Sequence, residues 1–413
     1  MNNKLGRALE ILRTEGIAPL ARRSAIFCQR LLWRQYLSRY GMSTSELQTF
    51  ARERGRIWYD APELEITYPH PASVGAPASF QDYTDTQRPS RRFLCELPSC
   101  RLRGPKGLVY PQEGALALET HGGKPGFFIS ELADEGWKSS LIKVLAKDLR
   151  ARSSLSSPSP FPTNSPVFRL LPTYSHNYYH WIVEYLPQLR MLEFYEKETN
   201  KEAKILIAAD PPSFVLETLS LMGYGPERLI EWNEADHRIA NLLITLRRVH
   251  DTRHGFSHSI RDYSWLRDRV RSAVRDTSPA STTSKIYVSR QQANKGRRVR
   301  NYDEMIGVLE AHGFKPVVFE AMSFSEQILQ VLKADVLVGP HGAGLVNMLF
   351  ADDPSVIEFL PDTRLRPDIY LLAGSMGFEY DCLVSPADEN DNMTVDVDSL
   401  QSLLARHGVQ SVS

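Results

Sequence analysis

Val338-Gly339-Pro340-His341-Gly342-Ala343-Gly344-Leu345-Val346-Asn347 joins an apolar run, Val336 to Val338, to a glycine-rich turn and then to a segment that reads as a helix. Strand, tight turn and helix in this order form the unit from which open parallel α/β sheets are built. Glycine lets a ligand approach the main chain, the first helical turn leaves N–H groups without partners, and the macrodipole favours negative charge there. A diphosphate is the natural guest of such a turn, and His341 adds a side-chain donor at the same mouth. The alternative is a plain strand-to-helix turn without a ligand, because single Gly-rich turns are common.

The alternation continues on both sides of this stretch. Lys285 to Arg290 reads as a strand, Tyr302 to His312 as a helix, Pro316 to Phe319 as a strand and Ser323 to Lys333 as a helix. After the glycine turn, Val356 to Phe359 and Tyr380 to Val384 read as strands, with helices around Asp368 to Met376 and Asp398 to His407. Upstream, Ile205 to Ala208 and Leu242 to Thr245 read as buried strands with a helix near Ser213 to Met222 between them. Strict β-α alternation predicts a parallel sheet covered on both faces, with ligands at the carboxyl ends of the strands. Ser289, Arg290, His341 and Glu358 all fall at such ends.

Two Ser/Thr/Pro-rich breaks, Ser153 to Pro162 and Thr277 to Ser284, read as loops or linkers. With them the chain divides into a basic helical segment (1–50), an N-terminal lobe (51–280) and a C-terminal lobe (281–413). Residues 51–150 mix short apolar runs with prolines and glycines, as short strands and turns do, and carry no chemical motif. The chain has 413 residues, enough for two domains with their own cores. Lys+Arg and Asp+Glu number 49 each, which points away from nucleic acid as a partner. Four scattered cysteines suggest neither a disulfide scaffold nor zinc.

No run of about 18 apolar residues and no signal-peptide pattern is present, so a cytoplasmic protein is expected. Residues 1–45 hold eight basic side chains against two acidic ones. In Leu20 to Leu37, arginines alternate with apolar residues at helical spacing. Such a helix either docks on its own protein or makes peripheral contact with the anionic inner face of a membrane.

Two further clusters carry chemistry. Lys295-Gly296-Arg297-Arg298-Val299-Arg300-Asn301 is a basic loop after Ser289-Arg290; an arginine fork there could clamp a diphosphate seated on the His341 turn, unless the loop is merely solvated. Glu358, ending an apolar strand, is expected to accept hydrogen bonds from ribose hydroxyls, since an unpaired carboxylate is costly in a core. In His176-Asn177-Tyr178-Tyr179-His180-Trp181-Ile182-Val183-Glu184-Tyr185-Leu186-Pro187, His180 and Glu184 share a helical face while Trp181 turns toward packing. That pair can do general-base work, or it can be a satisfied helix-start network; no further ligands stand at a spacing that completes a metal site. Asp396-Val397-Asp398 reads as the capped start of the last helix rather than a metal clamp.

Taken together, Asn177 to Pro187, Tyr287 to Arg290, Arg298 with Asn301, Phe324 to Gln327, Gly339 to Leu345 with Asn347 and Phe350, and Val356 to Glu358 resemble the glycosyltransferase family 61 domain. The order and spacing match from about residue 166 to 385; Tyr302 departs from the glutamate frequent after the asparagine, and the first 160 residues match nothing. That family includes eukaryotic protein O-linked N-acetylglucosaminyltransferases, plant xylan-decorating enzymes and microbial polysaccharide enzymes. The resemblance implies a GT-B-like α/β architecture of two Rossmann-like lobes with a cleft between them. It also implies inverting transfer from a nucleotide sugar, UDP-linked sugars among them, without a metal or other cofactor. The acceptor would be a glycan, a lipid-linked or a protein hydroxyl, in surface polysaccharide or glycoconjugate synthesis.

On that basis Ser289, Arg290, Arg298, Asn301, His341, Gly342, Ala343, Gly344, Asn347 and Glu358 are expected to bind the donor. Glu184 or His180 would remove the acceptor proton from the opposite lobe. Two other classes compete: a nucleotide-dependent phosphoryl or sulfuryl transferase, which GxxxxGK[ST] would mark but which is absent, and a non-catalytic glycan-binding scaffold.

Overall fold

The structure is a computed structural model that describes residues 31, 35–71, 76–104, 106–112, 115–121, 158–172, 176–251, 255–275, 284–293 and 296–411. Most of the basic N-terminal segment, Gly126 to Ile129, most of both Ser/Thr/Pro-rich breaks and Lys295 lie outside the described residues. Among the described residues, no helix is long and apolar enough to cross a membrane.

Five parallel strands form the C-terminal sheet: β9 (Lys285–Val288), β10 (Lys315–Val317), β11 (Val336–Pro340), β12 (Ser355–Pro361) and β13 (Tyr380–Ser385), in the order β10-β9-β11-β12-β13. Helices α5 (Tyr302–Ala311), α6 (Phe324–Val331), α7 (Asp368–Ser375) and α8 (Val397–Arg406) run between and after them. The period of two along each strand sorts its side chains onto two buried faces. Tyr287, Val336, Val338, Ile357 and Phe359 pack on Met305, Leu309, Leu400 and Leu403 of α5 and α8. Ile286, Val288, Leu337 and Val356 turn the other way, against Phe324 and Ile328 of α6 and Ile369 and Leu372 of α7. The start of α6 is set by a capping box between Ser323 and Glu326, and that of α8 by Asp396, whose Oδ1 accepts from Ser399 N at 2.8 Å.

The N-terminal sheet departs from the expected uniform alternation. Its strands are β1 (Arg56–Tyr59), β2 (Phe93–Arg103), β3 (Leu108–Tyr110), β4 (Ser159–Pro160), β5 (Val167–Arg169), β6 (Lys204–Ile207), β7 (Leu229–Glu231) and β8 (His237–Thr245). The order is β1-β2-β8-β5-β6-β7, with β3 beside β2 and β4 beside β8. Strands β8, β5, β6 and β7 are parallel, whereas β1, β2 and β8 are antiparallel. This half is therefore a mixed sheet rather than a doubly wound one.

Both sheets contribute to one apolar core. Phe168, Ile205 and Leu243 belong to the same cluster as Ile286, Leu337 and Val356, bridged by Trp181, Ile182 and Leu186 and by Leu266 and Val270 of α4 (Ile260–Arg275). The α/β class is as expected; the N-terminal lobe is not Rossmann-like in topology.

Candidate functional site

Strands β9 and β11 are neighbours, yet β10 lies beyond one and β12 beyond the other. Connections thus leave the adjacent carboxyl ends toward opposite sides of the sheet, which opens a crevice there. A cavity of about 290 Å³ occupies this position. Ser289 and Arg290 after β9 and Gly342, Ala343 and Gly344 after β11 line it, together with Tyr178, Phe214, Phe319, Phe324 and the exposed Glu320. Tyr178 and Phe214 meet edge to face with centroids 5.4 Å apart.

The glycines are needed for space. Gly342 has extended backbone, but a Cβ there would collide with the Arg290 guanidinium; one at Gly344 would press on Val288 and Phe319. Arg290 therefore lies directly against the turn. Burial pushes its guanidinium below the ordinary arginine range, opposed by Glu320 and reinforced by Arg298. The segment that follows, Ala343–Phe350, is a 3-10 helix and not the expected α-helix. The first N–H groups of such a segment lack intrahelical partners, with a weaker aligned dipole behind them.

His341 is 6% exposed, and its Nδ1 lies 2.6 Å from Oε1 of Glu358. The hydroxyl of Tyr380 donates to the other oxygen, Oε2, at 2.6 Å, and burial and then Glu358 keep that phenol protonated. Glu358 is fully buried with both oxygens occupied within the protein, and its carboxylate orients His341. Its burial is tolerable because it is paired.

Other residues expected at the donor make hydrogen bonds within the protein. Asn347 is fully buried, accepting from Tyr178 Oη at 2.7 Å and donating to Gln327 Oε1 at 2.9 Å. Asn301 clips Val395 through its amide at both ends, Nδ2 to the carbonyl at 2.7 Å and Oδ1 from the N–H at 2.9 Å. Arg298 is exposed, and its guanidinium donates to the Ala293 carbonyl at 2.8 Å. Ser289, although buried, keeps its place in the cavity lining.

The second cluster is built on an irregular helix. A single α-turn, Tyr178–His180, capped by Asn177, widens into a π-turn over Trp181–Tyr185. Such bulges re-aim side chains and recur at functional sites. His180 Nδ1 lies 2.6 Å from Glu184 Oε1, and Trp181 Nε1 donates to Thr218 Oγ1 at 2.9 Å, the packing role expected of it. Two arginines following β8 complete the cluster: Arg248 reaches Glu184 Oε1 at 2.8 Å and Arg247 reaches Oε2 at 3.0 Å. Burial works against the charge on Glu184, but Arg247, Arg248 and His180 outweigh it and hold the carboxyl well below its usual range. The His180 side chain is 25% exposed and that of Glu184 only 1%.

Asp368, at the start of α7, joins the two clusters electrostatically. Burial favours its protonation, yet Arg366, Arg248 and His341 together hold it below the usual carboxylate range. Arg247, Arg248, Asp368 and Tyr380 were not identified from sequence. Arg247 and Arg248 carried a usable signal, because they follow the carboxyl end of a buried strand just as Arg290 does; Asp368 and Tyr380 carried none.

The Glycosyltransferase 61 family model matches residues 178–357. That span begins at Tyr178, includes His180, Glu184, Arg248, Arg290 and His341, and stops one residue before Glu358. A stretch of 111 residues is 34% identical to the EGF domain-specific O-linked N-acetylglucosamine transferase of Drosophila melanogaster, covering 25% of this chain and 21% of that protein's length. The family match spans the cavity at the β9/β11 switch point and most of the dispersed motifs: residues 178–357 of this chain are similar to the glycosyltransferase family 61 domain.

Proposed function

We propose that this chain transfers a sugar from a nucleotide sugar to a hydroxyl acceptor with inversion at the anomeric carbon. The observation that carries the proposal is the cavity at the β9/β11 switch point, where Arg290 lies against a glycine turn and aromatic side chains stand ready for a nucleoside. The acceptor oxygen attacks the anomeric carbon and its bond to the diphosphate breaks, the electron pair leaving with the nucleoside diphosphate. His180 takes the acceptor proton, held in orientation by Glu184; buried between two arginines, Glu184 itself is poorly suited to the task. Arg290, His341 and the N–H groups after Gly342 offset the charge that develops on the leaving group.

The relative's printed name makes an N-acetylglucosamine donor the first to try; the acceptor class is a glycan, lipid-linked or protein hydroxyl. We place the work at the cytoplasmic side of surface polysaccharide or glycoconjugate synthesis. The test is a panel of nucleotide sugars, with release of nucleoside diphosphate as readout. Turnover of at least one is expected, and it should persist in excess EDTA because cations of the protein serve the diphosphate. No binding or turnover across the panel would overturn the activity, and strict dependence on added Mn²⁺ or Mg²⁺ would overturn the metal-free mechanism.

A further inference from the structure

Strands β1 and β2 pair antiparallel at Tyr59 and Phe93, and the Asp60 N–H donates to the Arg92 carbonyl at 3.0 Å, as at the end of a hairpin. An ordinary hairpin closes with about two to five residues. Here the connection is an arm running from Asp60 to Arg92, and a connection of that length in a compact chain is usually functional. It precedes the residues that the family model matches.

The root of the arm is fastened to the N-terminal half. Asp60 pairs with Arg190, Arg92 pairs with Asp262 at 2.6 Å, and Ser257 Oγ donates to Gln87 Oε1 at 2.8 Å. Ile66 and Gln87 exchange backbone hydrogen bonds of 3.1 and 2.7 Å, which draws the arm into a waist. Its apolar side chains pack on the other half. Ile66, Tyr68 and Phe80 share a small core with Leu360 of β12, Tyr370 of α7 and Cys382 of β13. Phe80 stacks on Tyr370 with centroids 5.0 Å apart and planes 5° from parallel, and a Cβ at Gly374 of α7 would collide with the Tyr68 ring.

Tyr370 in turn meets Tyr380, with centroids 5.4 Å apart, and the Tyr380 hydroxyl donates to Glu358. A carboxylate only accepts, so Nδ1 of His341 carries the proton it shares with the other Glu358 oxygen. We propose that the arm between β1 and β2 is a strap across the two halves, and that Phe80 and Tyr68 are positioning residues for His341, acting through Tyr370, Tyr380 and Glu358. This role rests on the donor-site reading of His341 and adds the residues that hold it. Each link is a direct contact in a close-packed interior, which passes a shift on rather than absorbing it.

The test is exchange with water of the His341 ring proton, followed by nuclear magnetic resonance on the full chain with isotopically labelled histidine. Loss of the signal in His341→Ala identifies it. Wild type should show a slowly exchanging Nδ1–H. Tyr380→Phe, which takes one hydrogen bond from Glu358, should speed exchange by about fivefold. Phe80→Ala should speed it by at least about twofold, a part of that effect. Gly374→Ala should do the same in a chain that still folds, because alanine favours the helix while its Cβ displaces Tyr68. Phe80→Leu, which keeps most of the volume, should restore most of the protection. Backbone amides of β5 and β8 are the reference and should not change. Unchanged ring exchange in either Phe80→Ala or Gly374→Ala overturns the inference, and so does acceleration shared by the reference amides, which marks the arm as a general support. A wild-type ring proton that exchanges at once overturns it as well. None of these readouts depends on turnover, so a chain inert toward every nucleotide sugar would remove the donor-site reading while the packing relay still stood.

Discussion

Two histidine–glutamate pairs stand in this molecule with the same 2.6 Å spacing and very different company. His341–Glu358 is assembled across neighbouring strands, and its carboxylate is shared with a phenol. His180–Glu184 is assembled within one irregular helix, and its carboxylate is locked between two guanidiniums. The pair alone therefore does not define a role; the third and fourth groups do. A glutamate shared by one histidine and a phenol acts chiefly to orient its histidine, whereas one facing two arginines also neutralises buried charge for the fold.

Exchanging the histidine in each pair tests this contrast most strongly. His180→Ala should cut turnover by roughly 10²- to 10⁴-fold, the usual loss of general-base catalysis, with nucleotide affinity nearly unchanged. Steady-state kinetics beside nucleotide titration check it; undiminished turnover in a folded variant would transfer the base role elsewhere. Glu184→Ala should act on the fold as well, since it removes the buried carboxylate that pairs with Arg247 and Arg248, at a cost of about 3–5 kcal/mol. The matched change Glu358→Ala should cost less, about 1–3 kcal/mol, because it takes a partner from His341 and the Tyr380 hydroxyl but from no buried arginine. Denaturant titration of both variants decides between them, and equal losses would erase the distinction.

His341→Ala should lower turnover by about 10²- to 10³-fold, as removal of a donor to developing negative charge does. Nucleoside diphosphate affinity should fall with it, unlike the His180 variant. If the two histidine variants showed the same split between affinity and turnover, both would belong to one step.

The sequence exposed the inner strands of the C-terminal sheet well because β11 and β12 are apolar runs closed by a turn and buried on both faces. Strand β2 was harder to see. Pro98 removes an N–H, Ser99 adopts φ = 54°, and the ladder to β8 skips that position, so an 11-residue strand reads as two fragments. The surroundings of Glu358 are hidden for a related reason. Its partner is set by register, Gly339 against Glu358, which brings His341 alongside from the next strand. Register is a tertiary property, and nothing in the order of residues reveals that a buried carboxylate has found a donor. Asn301 and Asn347 likewise stand out within the motifs, but motif position alone does not separate a ligand contact from a brace.

The smallest expected effect concerns what lies near the His180–Glu184 pair. His258 is fully packed, its Nδ1 2.7 Å from Tyr263 Oη, and burial and then Arg248 push its pKa down to about 3, against the opposing pull of Asp368 and Glu184. The folded value lies below the ordinary 6.5, so as pH falls through 6.5 the unfolded chain takes up a proton that the folded chain refuses. His258 thus contributes a loss of about 1 kcal/mol between pH 7 and 5.5, set against the opposite contribution of Glu63, whose carboxyl burial raises to about 7 and which gains its proton in the folded chain over the same window. Glu184, whose carboxyl is held low, adds its own loss only below its ordinary 4.5, so the two windows separate. Denaturant titrations at pH 7 and 5.5 should show wild type losing about 1 kcal/mol relative to His258→Gln, because Glu63 contributes equally to both. An equal slope in both would mean that His258 already carries a proton beside Arg248, and that the cation pair around Glu184 extends to a third positive group.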